Sequence, residues 1–138
     1  MSNRYVLDAW SLIALLKAEE PAAGYVKQLL RRAVVEELIL ALSLINLGEV
    51  FYIVSRWSGK DAADAAMQTI REAPIEILPV DEEAVFTAAD YKSMNRISYA
   101  DAFALAAAVE LDATLVTGDP ELVSLSHLVK IEALERRA

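Results

Sequence analysis

Short uninterrupted apolar runs alternate along the chain with longer stretches in which apolar residues recur every three or four positions. Tyr5-Val6-Leu7 is such a run and predicts a short buried strand. Leu12-Ile13-Ala14-Leu15-Leu16 opens a helix that ends before Pro21, because a proline ring disfavours helical backbone in the residue ahead of it. Over 22–35, Tyr25, Val26, Leu29 and Leu30 share one helical face, with Lys27, Arg31 and Arg32 on the other. Leu38–Ala41 reads as a second strand. A helix begins at Ser43 or Asn46 and runs through Trp57 to the stop at Ser58-Gly59; another begins at Asp61 and reaches Glu72 ahead of Pro74. Ile75–Leu78 is a third strand. Asp81 caps a helix to about Met94, Ser98 caps one to about Glu110, and Ala113–Thr117 is a fourth strand. A short helix after Pro120 and a final apolar segment, Leu128–Ile131, complete the pattern.

Strands separated by helices are joined by right-handed crossovers into a parallel sheet with both faces covered. The expected fold is therefore α/β: a three-layer α/β/α sandwich around a mostly parallel central sheet of four or five strands. The 138 residues suit one domain of ordinary size, spanning 1–138. In such sheets ligands bind outside the carboxyl ends of the strands, where the strand order reverses.

Composition narrows the chemistry. Apolar residues make up 56% of the chain, above the roughly 45–50% of an average soluble domain, which excludes a disordered polar chain. The absence of cysteine removes disulfides, thiolate metal sites and cysteine nucleophiles, and suits a reducing cytoplasm. A single histidine, His127, removes imidazole clusters and the usual serine triads; it reads as a surface or strand-edge residue. The N-terminal residues lack the apolar stretch and cleavage site of a secretion signal. Leu38–Ser55 carries only one charge, Glu49, but Asn46, Gly48 and Glu49 lie at its middle, where a membrane span tolerates polarity least. A buried strand followed by a buried helix explains it better. The net charge of −8 opposes binding to polyanions through the bulk field, so the acids either solvate the surface or are gathered for a purpose.

Four acids stand out. Asp8 directly follows the first strand and Asp119 follows the fourth, through Gly118, a residue that permits a sharp exit or a close backbone approach. If those strands are neighbours, both carboxylates enter one crevice. Each also has a plainer role: Asp8 as a turn residue, and Asp119 as the cap of the helix opened by Pro120. Glu49 lies in an apolar helix with no opposite charge within four positions, and an unpaired buried carboxylate costs several kcal/mol or loses its charge, unless it snorkels to water. Asp101 follows Ser98 by three positions, as in a capping box, at the mouth of the apolar helix 102–109; there the helix dipole keeps it ionised. One cluster of oxygens around a divalent ion accounts for all four, and hard ions such as Mg²⁺ or Mn²⁺ favour such ligands. Metal-assisted phosphoester hydrolysis is the chemistry this suits.

At Tyr5-Val6-Leu7-Asp8-Ala9, Leu47-Gly48-Glu49-Val50, Ile97-Ser98-Tyr99-Ala100-Asp101-Ala102-Phe103-Ala104 and Leu115-Val116-Thr117-Gly118-Asp119-Pro120 the chain resembles PIN-domain ribonucleases, in particular VapC-like toxins of toxin–antitoxin pairs. The resemblance covers about residues 4–131. It implies a cytoplasmic endoribonuclease that leaves 3′-hydroxyl and 5′-phosphate ends. Asp8, Glu49, Asp101 and Asp119 would bind Mg²⁺ or Mn²⁺, and Thr117 would orient an acid or water. It also implies a homodimer and a VapB-like antitoxin partner covering the groove, with no membrane association.

The chain departs from the family where a small hydroxyl or Asn residue usually follows the first Asp by two positions: Trp10 stands there, and Ser11 comes next. Ser11 is a candidate partner for an acid or water. Trp10 is a candidate for stacking on a base, although packing is the plainer role. Arg96 is a candidate phosphate contact or simply a solvated flank; Arg31-Arg32 and Arg136-Arg137 read as solvated ends. Tyr52, Trp57 and Phe86 fit a groove or interface. Two other functions remain open. A phospho-receiver domain is also a small acidic α/β unit that binds Mg²⁺, but it needs an acceptor Asp after a middle strand, and the third strand here ends in Leu78-Pro79-Val80-Asp81. A catalytically idle PIN fold kept for binding is the other, opposed by the intact acids.

Overall fold

The structure is a computed structural model and describes residues 3–136. Met1, Ser2, Ala138 and Arg137, the second half of the Arg136-Arg137 pair, lie outside the described residues.

The elements run in the order β1 (Arg4–Leu7), α1 (Ala9–Leu16), α2 (Ala22–Val34), β2 (Ile39–Ser43), α3 (Leu44–Ser58), α4 (Lys60–Glu72), β3 (Ile75–Leu78), α5 (Glu82–Met94), α6 (Tyr99–Glu110), β4 (Thr114–Thr117), α7 (Pro120–Val123) and β5 (Ile131–Ala133). All five strands are parallel, in the order β3-β2-β1-β4-β5. The chain therefore builds outward from β1 in one direction through β3, then returns to the other side of β1 with β4. The reversal falls between β1 and β4, where Leu7 lies opposite Val116.

Period-two alternation assigns the strand residues to two faces. Leu7, Leu40, Leu42 and Val116 point to a core shared with α1, α2, α3 and α4. Val6, Ala41 and Leu115 point to a second core shared with α5, α6 and α7. Both faces are covered, as a parallel sheet requires. Alanines 102, 104, 106 and 108 of α6 are all buried, and their small side chains let this helix lie close on the sheet. The segment tested as a membrane span divides into β2 and α3, and among the described residues no helix is long and apolar enough to cross a membrane.

Two departures from the sequence reading have local causes. The final apolar segment Leu128–Ile131 meets the last strand only at Ile131: β5 spans Ile131–Ala133, a three-residue edge strand too short and too exposed to carry an alternating signal. Helix α1 starts at Ala9 rather than Leu12, because Asp8 caps it through the Ser11 amide. Beyond β5 the chain turns across the sheet: Leu134 N–H donates to the Thr117 carbonyl at 2.8 Å, Ala22 N–H donates to the Glu135 carbonyl at 2.9 Å, and Arg136 pairs with Pro21. This tail brings Arg136 to the reversal point.

Candidate active site

The four acids arrive from separate elements. Asp8 follows β1, Asp119 follows β4, Glu49 lies on the middle of α3, and Asp101 lies in the first turn of α6. Glu49, Asp101 and Asp119 line one pocket of about 260 Å³, together with Trp10 and Arg136. Asp8 is 1% exposed, behind the wall formed by its neighbours Ala9 and Trp10. The first and fourth strands are neighbours as expected, but only Asp119 of the two strand-end acids lines the crevice; Asp8 is buried beside it.

Hydrogen bonds fix the buried end of this group. Asp8 Oδ1 accepts from the Ser11 amide at 2.9 Å, and its Oδ2 accepts a short bond from the Thr117 hydroxyl. Thr117 Oγ1 in turn accepts from the Asp119 amide at 3.0 Å. One fully buried hydroxyl thus ties the first acid to the backbone of the fourth. The Ser11 hydroxyl donates to the Asp8 carbonyl at 2.8 Å, and Ser11 acts on the Asp8 carboxylate through both its amide and its side chain. Asp119 also fulfils its plainer role, with Oδ1 accepting from Glu121 N–H at 2.8 Å at the start of α7. Capping and lining are compatible here because a carboxylate has more lone pairs than the cap consumes.

Asn46, buried on α3 one turn before Glu49, was not singled out in sequence as a site residue. Its Nδ2 donates to Glu49 Oε1 at 3.3 Å and to the Ala100 carbonyl at 3.0 Å. The amide therefore clamps α3 to the start of α6 and aligns Glu49 with Asp101. A polar residue three positions before the acid, on an otherwise apolar face, is the signal that marks it. Asn46 Oδ1 is buried without a hydrogen-bond partner.

The electrostatics are those of acids crowded together out of water. Burial lifts Asp8 from 3.8 to about 7 against the pull of the Thr117 and Ser11 hydrogen bonds, and Asp101 adds to the rise. Asp101 is lifted to about 6 by burial, then by Asp119 and Glu49. Burial also raises Glu49, opposed by its bond from Asn46 and assisted by Asp119. Desolvation and two neighbouring carboxylates thus outweigh the pull of the helix dipole on Asp101, although a pKa of about 6 still leaves it mostly ionised at neutral pH. Ser98 does supply its half of the cap, accepting from the Asp101 amide at 3.1 Å.

These residues fit a divalent cation in their donor chemistry: several carboxylates, mutually repelling and partly desolvated, beside an unpartnered amide oxygen. Neither ion pair, Arg32–Glu37 nor Arg136–Glu19, involves any of the four acids. Among the described residues no three such side chains converge tightly enough to enclose an ion as they stand.

The other candidates separate clearly. Trp10 is half-buried at the mouth of the pocket, its ring so close to Gly118 that a Cβ there would overlap it. Gly118 is therefore required by side-chain packing rather than by its own backbone angle. Arg136 is exposed but not free of the site: its guanidinium lies 5.4 Å from the centroid of Trp10. Arg96, Arg31, Arg32 and His127 are exposed and outside the pocket lining. Tyr52, Trp57 and Phe86 are exposed on α3 and α5, as expected.

The family model of the PIN domain matches residues 5–128. No curated protein matches the chain significantly. Among solved structures, VapBC2 from Rickettsia felis, bound to a DNA fragment from its promoter, aligns with a TM-score of 0.72 at 18% identity, covering 96% of this chain and 99% of that one. The sarcin-ricin loop cleaving toxin VapC20 of Mycobacterium tuberculosis aligns at 0.71 and 18%, covering 88% and 94%. VapBC-1 from nontypeable Haemophilus influenzae aligns at 0.69 and 20%, covering 94% and 97%. At these identities the likeness is one of fold.

Proposed function

The chain belongs to the PIN-domain family, and from that premise we propose that it is a divalent-metal-dependent endoribonuclease acting as the toxin of a toxin–antitoxin pair. The observation that carries the reading is the convergence of Glu49, Asp101 and Asp119 on one pocket at the strand-order reversal, with Asp8 tied to it through Thr117. Asp8, Glu49, Asp101 and Asp119 would hold Mg²⁺ or Mn²⁺. Such an ion, when bound, polarises a phosphodiester and makes water a nucleophile near neutral pH. The chain's own contribution is positional. Thr117 holds Asp8 and the Asp119 backbone in register, Asn46 holds Glu49 against α6, and burial shields Asp8 from bulk water.

A cognate antitoxin and a homodimer belong to the same proposal, supported by the VapBC complexes of like fold and by the exposed Tyr52, Trp57 and Phe86. So does a cytoplasmic site of action, which the absence of cysteine suits. The phospho-receiver alternative does not survive the topology. Receivers of the flavodoxin-like type order their strands 2-1-3-4-5, whereas β3 here is an edge strand, and Asp81 beyond it is exposed and caps α5.

The test is cleavage of a panel of transfer and ribosomal RNAs with Mg²⁺, Mn²⁺ or EDTA. Wild type should cut in either metal, leave 3′-hydroxyl and 5′-phosphate ends, and stop in EDTA. Asp8→Ala and Asp119→Asn should fall by at least a hundredfold. Undiminished cutting by Asp8→Ala, or by wild type in EDTA, would sink the proposal.

A further inference from the structure

A pocket lined by Glu49, Asp101, Asp119 and Glu121, in a chain of net charge −8, repels the polyanion that the proposed reaction needs. Among the described residues one cationic side chain lines that pocket, Arg136. It is held from two directions. The Trp10 ring lies under the guanidinium at 5.4 Å, and Glu19 accepts both of its contacts from a single nitrogen, Nη1, at 3.4 and 3.5 Å. A guanidinium has five N–H donors in a planar fork, so these contacts orient it without consuming it, and its side chain remains 48% exposed. Its ion pair is with Glu19, which does not line the pocket, rather than with any of the four acids. Arg136 therefore does not act as a plug that neutralises the acid cluster. It stays exposed at the rim of the pocket.

The support beneath it is also specific. Trp10 keeps its place only because Gly118, directly before Asp119, has no Cβ. The backbone that carries the fourth acid and the platform that carries the cation are thus in contact. The tail that delivers Arg136 is fixed at Leu134 to the Thr117 carbonyl and at Glu135 to the Ala22 amide. The Leu134 anchor lies on Thr117, the residue that binds Asp8, and the Trp10 platform abuts Gly118, the next residue.

We infer that Arg136, oriented by Trp10 and Glu19, is a substrate-positioning residue that binds a phosphate of the RNA strand beside the one that is cut. The inference rests on the ribonuclease reading. Arginine suits the role because its fork takes two phosphate oxygens at once and stacks on an indole face, which an ammonium cannot match.

The test compares wild type with Arg136→Ala and Arg136→Lys on a single-stranded RNA substrate over a series of KCl concentrations. Circular dichroism melting confirms that the variants fold. Arg136→Ala should raise KM about tenfold and leave kcat within about twofold. It should also flatten the log–log dependence of kcat/KM on salt by about 0.7, the loss of one phosphate contact on a single strand. Arg136→Lys should restore the salt slope but only part of KM. Unchanged KM and slope in Arg136→Ala overturn the inference, as does a loss confined to kcat. RNA binding by fluorescence anisotropy in EDTA separates this from the parent reading. If wild type binds RNA without cutting it and Arg136→Ala binds at least fivefold more weakly, the hydrolytic reading fails and the phosphate contact stands. If wild type neither cuts nor binds, both fail.

Discussion

At pH 8 and without divalent metal, Asp8→Asn is expected to make the protein more stable while abolishing its activity. Asp8 is 1% exposed, so its charge gains nothing from solvent screening, and burial lifts its pKa from 3.8 to about 7. At 1.36 kcal/mol per unit, that rise corresponds to about 4 kcal/mol of destabilisation once the group is ionised. The substitution keeps the size of the side chain and an oxygen to accept from the Ser11 amide, but places an amide against the Thr117 hydroxyl. A disturbed hydrogen bond there costs about 1 kcal/mol. The net gain at pH 8 is about 3 kcal/mol.

The sign follows from proton counting. Between pH 4 and 7 the unfolded chain has released the Asp8 proton and the native protein retains it, so the native state binds more protons and wild-type stability falls as pH rises. Near pH 4 much of that penalty has gone, and the lost hydrogen bond leaves Asp8→Asn about equal to wild type or slightly less stable. Above pH 7 the penalty is complete and the variant is the more stable. Urea denaturation of both proteins in EDTA at pH 4 and pH 8 measures this directly. Millimolar Mg²⁺ or Mn²⁺ at pH 8 should then stabilise wild type more than the variant and narrow the gap. A stability difference independent of pH would refute the reasoning, since it would show that Asp8 is not held protonated by burial.

Thr117→Val removes the bridge between Asp8 and the Asp119 amide at nearly constant volume, and should cost about 2 kcal/mol in urea denaturation. It should also move the acidic limb of the cleavage pH profile upward, because Asp8 loses a bond that lowers its pKa. Gly118→Ala drives a methyl group into the Trp10 ring; a loss of about 1–3 kcal/mol is expected, with RNA cleavage weakened chiefly through KM as Arg136 loses its platform. Glu36→Gly should raise stability by about 0.5–1 kcal/mol, because Glu36 sits at a φ of 62° after α2. Thermal melting with an unchanged or lower midpoint would contradict the last.

The same left-handed residues show where the sequence is mute. Three helices are followed by non-glycine residues at positive φ, Ala18, Glu36 and Asp112, so the usual glycine marker of a helix end is missing at each. Helix ends were nevertheless legible nearby, because the apolar period stops and a proline or a new apolar run follows. The strands were legible for a different reason: burial on both faces makes β1, β2 and β4 continuous apolar runs. Edge strand β5 has no such burial, and the sequence marks only an apolar segment ending at its first residue. Among site residues, the four acids each break an apolar context or end a strand, which is what made them stand out. Asn46 breaks the same apolar helix as Glu49, but an uncharged amide in a helix carries no electrostatic cost to flag it, and its partner, the Ala100 carbonyl, lies 54 residues away.

Arg136 shows the limit most sharply, and the reason is physical rather than statistical. In sequence it belongs to a two-residue basic terminus, for which solvation is the sound expectation. Its place beside the acids depends on a three-residue strand, on two backbone hydrogen bonds of the tail, and on an indole ring 126 positions earlier. None of these has a periodic signature. The net charge of −8 likewise reads differently once the fold is known. Spread evenly, it would oppose RNA everywhere; with an acid cluster at the strand-order reversal and a cation fixed at its rim, the repulsion becomes selective. A strand that brings no divalent ion and no phosphate within reach of Arg136 meets only the repulsive field. On the proposed reading, a strand that brings both would be held at two points, the phosphate to be cut and a neighbouring phosphate at Arg136. Affinity for arbitrary RNA should accordingly be weak and its salt dependence shallow, and the contribution of Arg136 should be a large share of that small slope.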